Sequence, residues 1–256
     1  GKVISVDINP LSAGLYVSDE SSIVPPSTDP SFIPKILKIC KDKYISLLIP
    51  TRSQELLLFA ENKGRFEEQG IKVLVSDPEV VNICIDKYRF FQFLIKNDIP
   101  TPETFLLGEV SPSSMNFPVI VKPRYGSGSK DMFKVENVEE LEFFMKYIPD
   151  PIVQEYVGGK EYTVDLLSDF DGNVLVVVPR ERIFIFGGES FKGRTVKDYE
   201  IINSAKSLAE RLGTIGHITI QGKKDGDAFK FLELNPRFGG GAALGIAAGA
   251  NTPGLI

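Results

Sequence analysis

One histidine, His217, and two cysteines, Cys40 and Cys84, are all the soft metal-binding chemistry these 256 residues hold. An HExxH zinc site needs two histidines on one helix and an all-cysteine site needs four thiols, so both are excluded. A disulfide framework is excluded for the same reason. Each cysteine follows an isoleucine, which reads as a buried thiol of a reducing cytoplasm. No apolar run approaches the roughly 18 residues of a membrane helix. The longest, residues 239–250, is short and rich in Gly and Ala. A Ser-His-Asp triad would depend wholly on His217, which lies in a strand-like run where a satisfied core histidine is the commoner case. The formal net charge of −5 disfavours a duplex-binding surface. Neither a nucleic-acid nor a membrane partner is expected.

What is present is ordinary globular material, 43% hydrophobic and 25% charged, enough to bury a sizeable core in one large or two modest domains. Gly and Pro are somewhat over-represented, so loops carry weight here. Residue 1 is Gly rather than Met and no signal-peptide pattern follows, so a trimmed N-terminus is expected.

Residues 1–84 alternate strand and helix signals. Strands are predicted at 2–7, 23–24, 45–49 and 71–75, with helices over 31–42 and 54–63. That alternation implies a Rossmann-like parallel sheet covered by helices. Asp7 ends its strand where a dinucleotide fold places a ribose-binding acid, but the Gly-rich turn that should precede it by roughly 20 residues is absent.

From residue 85 the pattern changes. An amphipathic helix over 86–97 stops at Pro100 and Pro102, and strands follow at 117–123, 133–135, 152–157, 161–167 and 174–178. Helices are predicted over 138–147 and 198–212, the second closed by Gly213. Strands 217–223 and 229–234 form a hairpin through Lys224, Asp225, Gly226 and Asp227. The fold class is α/β (α+β), with domains at 1–84, 85–156 and 157–256.

Three constellations carry chemistry. In the first, an apolar strand delivers Lys122 and then a loop with Gly126, Ser127, Gly128 and Ser129. Glycines let backbone N–H groups approach phosphate oxygens beside a fixed cation. A solvated hairpin loop is the alternative. In the second, Gln154, Tyr156 and Val157 precede Gly158-Gly159, with Glu161 beyond. This suits a hinge whose backbone reads an adenine edge, or an ordinary hairpin. In the third, Glu233 and Asn235 share a strand face, and Gln221 falls opposite Glu233 to within about a residue. Three oxygen-bearing side chains suit Mg2+ or Mn2+ bridging phosphates. Arg237 follows, placed to neutralise a transferring phosphoryl group.

These motifs, in this order, resemble the ATP-grasp superfamily from Lys2 to Pro253. Within it the chain is most similar to the carbamoyl phosphate synthase large-chain group of carboxylate-amine ligases, through "VDINP", "QEYVGGKEYTVD" and "LELNPRFGGG". The resemblance implies an ATP-grasp fold preceded by a Rossmann-like domain, with ATP and Mg2+ or Mn2+ as cofactors. It implies that Lys87 and Lys122 bind phosphates, that residues 126–129 cover them, and that Gln154, Tyr156, Val157 and Glu161 contact adenine and ribose. Gln221, Glu233 and Asn235 match the metal positions and Arg237 the catalytic arginine, with Lys122 beside it. The implied reaction is carbon-nitrogen ligation, in which a carboxylate is activated as an acylphosphate and then attacked by an amine or ammonia. An ATP-binding regulatory subunit without turnover is the rival reading. A cytoplasmic homodimer acting on small molecules is compatible with it.

One segment departs. Where the carbamoyl phosphate synthase group carries His-Thr-Gly-Asp-Ser at its bicarbonate site, this chain reads Phe186-Gly187-Gly188-Glu189-Ser190. Arg180, Arg182 and Arg194 flank that segment, and either clamp an acidic substrate or are solvated. Family members continue beyond Pro253, so a missing C-terminal piece is expected.

Overall fold

Strong 3.6-residue periodicity at Phe32, Ile33, Ile36 and Cys40 makes a helix that buries one face, and those four side chains anchor the first of two compact units. The structure is a computed structural model that describes every residue except Ser127 and Asp227. In the first unit, residues 1–75, β1 (Ile4–Asp7) pairs in parallel with β2 (Glu20–Ile23), after the short α1 (Gly14–Val17). Helix α2 (Phe32–Asp42) leads to β3 (Leu47–Leu48), which pairs in parallel with β4 (Lys72–Val73). Parallel strands joined through helices are as expected, though they form two two-stranded sheets. The helix expected over 54–63 is broken into α3 (Leu56–Glu61) and α4 (Lys63–Glu67), whose Phe59 and Phe66 pack ring to ring. Asp7 accepts the Asn9 amide at 2.8 Å, so its carboxylate closes its own turn.

The second unit, residues 76–256, begins earlier than the sequence reading placed it. Helix α5 (Pro78–Ile85), not predicted from the sequence, packs through Val80, Ile83 and Cys84 into the core of the second. Helix α6 (Lys87–Lys96) adds Phe90 and Leu94 to that core, and its N-terminus is capped by Asp86.

Two antiparallel sheets follow. The first has the order β5 (Thr104–Leu106), β8 (Pro151–Glu155), β6 (Val119–Pro123), β7 (Phe133–Val135), with α7 (Val138–Tyr147) packed over Val119, Val121 and Val153. The second has the order β11 (Glu189–Thr195), β10 (Val174–Phe186), β9 (Lys160–Ser168), β12 (Gly216–Asp225), β13 (Ala228–Asn235). Helix α8 (Tyr199–Leu212) covers one face of it, against Val164, Leu166, Ile218, Ile220 and Leu234. Strand period then sends Thr163, Asp165, Thr219, Gln221, Glu233 and Asn235 to the other face. Strand β10 runs eight residues beyond its predicted end, and β11 was not predicted at all. Its sequence, ESFKGRT, has little β-branched character, but Gly187 and Gly188, both at positive φ, are a hairpin turn signal. The chain ends with α9 (Ala242–Ala247) and α10 (Thr252–Leu255). Among the described residues no helix is long and apolar enough to cross a membrane.

Candidate functional site

A cleft opens in the second unit, lined by β6, β8, the segment after β8, and the β12–β13 hairpin. Lys122, on β6, is only 7% exposed and donates to Gln154 Oε1 at 2.8 Å. Gln154 is held in turn by donating to Thr104 Oγ1 at 2.9 Å. Burial pushes the Lys122 ammonium down to about 8, with Lys87 adding to the fall and Glu233 and Glu161 opposing it. Lys87, first residue of α6, is also lowered by burial, against the pull of Glu233 and Asp86. Two desolvated cations facing one cleft create a strong demand for an anion.

The loop between β6 and β7 is fastened at its start. Asp86 accepts a fork from Arg124, Nε at 2.8 Å and Nη2 at 2.6 Å, and a third bond from the Tyr125 hydroxyl at 3.1 Å. Lys87 Nζ donates to the Gly126 carbonyl at 2.8 Å. Gly126, Gly128 and Ser129 all have positive φ, so glycine is needed where the loop bends most sharply. Gly128 also meets Gly188 backbone to backbone, and a Cβ on Gly188 would lie 2.6 Å from the Gly128 carbonyl. Ser127, expected in the same loop, lies outside the described residues.

The far end of the cleft is apolar. Ile120, Met132 and Leu232 line it beside Tyr156 and Val157. Lys223 donates to the Val157 carbonyl at 3.1 Å, and its ammonium lies 5.2 Å from the centre of the Tyr156 ring. The Glu161 carboxylate also lines the cleft and pairs with Arg182 at 2.9 Å. Sequence reasoning missed Lys223, Ile120, Met132 and Leu232. The three apolar residues carry no chemical signal, although Ile120 and Leu232 flank motif residues.

The strand register sets Gln221 directly opposite Glu233 and Thr219 opposite Asn235. Asn235 Nδ2 donates to Glu233 Oε1 at 3.2 Å, and Arg182 Nη1 donates to Gln221 Oε1 at 2.9 Å. One carboxylate and two amide oxygens are hard donors that fit Mg2+ or Mn2+ and not zinc. Among the described residues no group of three or more His, Cys, Asp or Glu forms a metal cage. A cation at this corner therefore needs further oxygens from a bound phosphate.

Gln221 and Glu233 also line a second, smaller cavity, so this corner joins the two. Arg237 lines the second cavity, and its Nη1 donates to the Phe238 carbonyl at 2.9 Å. The turn at Gly239, Gly240 and Gly241 explains its glycines by close approach. A Cβ on Gly239 would lie 2.7 Å from Thr219 Oγ1, and one on Gly241 would collide with the Arg180 guanidinium.

The flanking arginines, a clamp or solvated on the sequence reading, are each paired with a carboxylate of the chain. Arg180 lines the cavity, but its Nε and Nη2 make a buried fork to Asp165 at 2.5 and 3.1 Å. Arg194 pairs across strands with Glu181, at 2.6 Å. Strand alternation puts that pair on the face opposite Arg180, and Arg194 lines neither cavity. His217 is buried, lies flat on Phe238 at 4.0 Å, and burial pushes its imidazole below the ordinary 6.5.

The chain is similar to known proteins. Residues 84–241 match the ATP-grasp domain family, and residues 1–74 match the PylC-like N-terminal domain. A D-alanine–D-alanine ligase of Petrotoga mobilis is 26% identical over 169 residues, covering 63% of this chain and 56% of that protein. The carbamoyl phosphate synthase large chain of Thermoanaerobacter sp. is 26% identical over 220 residues, covering 77% of this chain and 20% of that protein. The chain thus spans about half of the first relative and a fifth of the second. Among solved structures, the biotin carboxylase domain dimer of Hydrogenobacter thermophilus 2-oxoglutarate carboxylase, in complex with MgADP, ADP and bicarbonate, has a TM-score of 0.74. It is 17% identical, covering 94% of this chain and 60% of that one.

Proposed function

The chain belongs to the ATP-grasp family, and on that premise we propose that it binds ATP in the first cleft and activates a carboxylate in the second cavity. The observation that carries this reading is the shared corner: Gln221 and Glu233 line both spaces, so a γ-phosphate reaching it from the cleft meets a carboxylate held beside Arg237. The apolar end at Ile120, Met132 and Leu232 takes the base, Glu161 the ribose, and Lys122 and Lys87 the phosphates. The Gly126–Gly128 bend lets loop amides approach them.

A carboxylate oxygen of the acid attacks the γ-phosphorus as the bond to the β,γ-bridging oxygen breaks, giving an acylphosphate and ADP. An amine then attacks the acyl carbon, phosphate departs with the C–O bond, and the amine proton goes to solvent. No side chain forms a covalent bond. Lys122 and Lys87 hold the phosphates in line, and Arg237 offsets the charge that spreads over the transferred group. Mg2+ or Mn2+ held by Glu233, Asn235 and Gln221 would neutralise phosphate charge. The acid is proposed to be organic rather than bicarbonate, since Phe186 stands where the resembling bicarbonate sites carry histidine. Buried thiols at Cys40 and Cys84 support a reducing compartment such as the cytoplasm. The dimer named for the Hydrogenobacter domain supports a homodimer.

Calorimetric titration with Mg-ATP tests the nucleotide reading. Saturable binding that is lost in Lys122→Ala is expected, and no heat at millimolar nucleotide would refute it.

A further inference from the structure

We propose that Arg182 couples the two cavities: the side chains that hold it are those a magnesium nucleotide draws on, and the arginine so released turns to an anion in the second cavity. This rests on the ligase reading above and adds a positioning residue to it. Arg182 lines the second cavity, Glu161 lines the first cleft and Gln221 lines both, so the guanidinium stands in the wall between them. Its Nη1 pairs with Glu161 Oε1 at 2.9 Å and donates to Gln221 Oε1 at 2.9 Å. Its Nη2 donates to the Gly188 carbonyl at 2.6 Å. The side chain is only 4% exposed, and its Nε is buried with no hydrogen-bond partner among the described residues. Arg180, on the same strand, differs. Its Nε and Nη2 both end on Asp165, a carboxylate that neither ribose nor metal claims.

A buried guanidinium with a donor left unmet is in an arrangement that a better set of acceptors can replace. The Gln221 amide oxygen cannot serve a guanidinium and a divalent cation together, because the two positive groups repel at that distance. Ribose hydroxyls likewise draw on the Glu161 carboxylate. Nucleotide binding thus loosens two of the three contacts and leaves the third, at Gly188, which lies in the wall of the second cavity. A buried guanidinium deprived of its carboxylate needs another anion. The carboxylate of the acid or the transferred phosphoryl group offers one, in the planar two-oxygen geometry that suits arginine. Gly188 also meets Gly128 backbone to backbone, so the same shift reaches the glycine loop.

Orthophosphate serves as the anion probe, titrated calorimetrically into the protein alone and with saturating Mg-ADP. Mg-ADP should tighten phosphate binding about tenfold or more. Arg182→Gln should remove most of that gain and leave the affinity without nucleotide unchanged. Glu161→Gln removes the competing carboxylate, so phosphate should bind without nucleotide nearly as tightly as the parent binds it with Mg-ADP. The two variants move opposite ends of the comparison, which damage to the fold would not do, and the second decides the matter if Arg182→Gln does not fold. Arg237→Gln should weaken phosphate binding in both states, which places the probe in the second cavity. Phosphate binding that Mg-ADP does not tighten, or a gain that persists in Arg182→Gln, would overturn the proposal. So would a loss of equal size in both states of Arg182→Gln, which would make the arginine a fixed part of the wall. Phosphate affinity unchanged in Glu161→Gln, or indifferent to Arg237→Gln, would overturn it too. Absence of binding by Mg-ADP itself would instead remove the ligase reading on which the proposal rests.

Discussion

Asp86 and Arg124, 38 residues apart, form a two-pronged ion pair at 2.8 and 2.6 Å that ties the start of α6 to the start of the glycine loop. The same carboxylate accepts from the Tyr88 and Arg89 amides, so it caps the helix whose first residue, Lys87, reaches the loop at Gly126. On the proposed reading Asp86 is a positioning residue, acting on phosphate contacts through Lys87 and the loop.

Asp86→Asn should therefore raise the KM for Mg-ATP about tenfold with a smaller change in kcat, and cost about 1–3 kcal/mol in stability. Burial favours the neutral acid, but Arg124, the Arg89 amide and Tyr125 outweigh it and hold the Asp86 carboxyl below its ordinary value of 3.8. The unfolded chain thus binds the proton more readily. The stabilisation is complete above the unfolded value and disappears as pH falls through the lower folded one. Urea titrations should show the gap between parent and variant closing below about pH 3.8. A gap constant to pH 2 would contradict this.

Lys122 gives a signature at the alkaline end. Its folded value of about 8 lies below the unfolded 10.5, so the unfolded state holds more protons between them and Lys122 contributes stability that rises with pH across that interval. Mg-ATP should reverse the shift by supplying anionic partners. At pH 8, binding should take up roughly half a proton through this group. Calorimetry in buffers of different ionisation enthalpy reads that uptake directly. Lys122→Met should reduce it as well as weaken binding, and equal uptake in both proteins would remove the assignment.

The metal corner is tested by its single carboxylate. Glu233→Ala should lower ATP-dependent turnover by about two orders of magnitude or more while the fold survives, because the residue lies on the polar face of the sheet. Excess Mn2+ should recover part of the activity in Asn235→Ala, which retains the carboxylate. Full activity in both variants would disprove the metal assignment.

Bicarbonate, ammonia and Mg-ATP should yield no carbamoyl phosphate with this chain alone. On the proposed reading one ATP cleft among the described residues serves one phosphorylation, whereas that product needs a second one on an unstable carbamate, and by the resemblance Phe186 stands where bicarbonate sites carry histidine. Capture with ornithine and its transcarbamoylase is the measurement. Citrulline above background would restore bicarbonate as the acid.

The sequence by itself determined what short-range rules govern. Helix α7 has the bounds its periodicity predicts, Gly213 closes α8, and a tight turn between β12 and β13 was enough to put Gln221 opposite Glu233. Strand alternation and hairpin geometry act over a few residues, so the convergence of Gln221, Glu233 and Asn235 on one face was legible before any fold was known. Only the tertiary structure decided which charges remain available. Arg180 and Asp165 are 15 residues apart, Arg182 and Gln221 39, and Asp86 and Arg124 38; each pair meets because a sheet or a loop folds back on itself. Arg180 and Arg194 look equivalent in the sequence, but the β10–β11 register, set by a hairpin that was not foreseen, sends them to opposite faces. One is neutralised in the cavity wall and the other faces away from it. Pairing depends on distance in space, which a charge pattern along a chain does not encode.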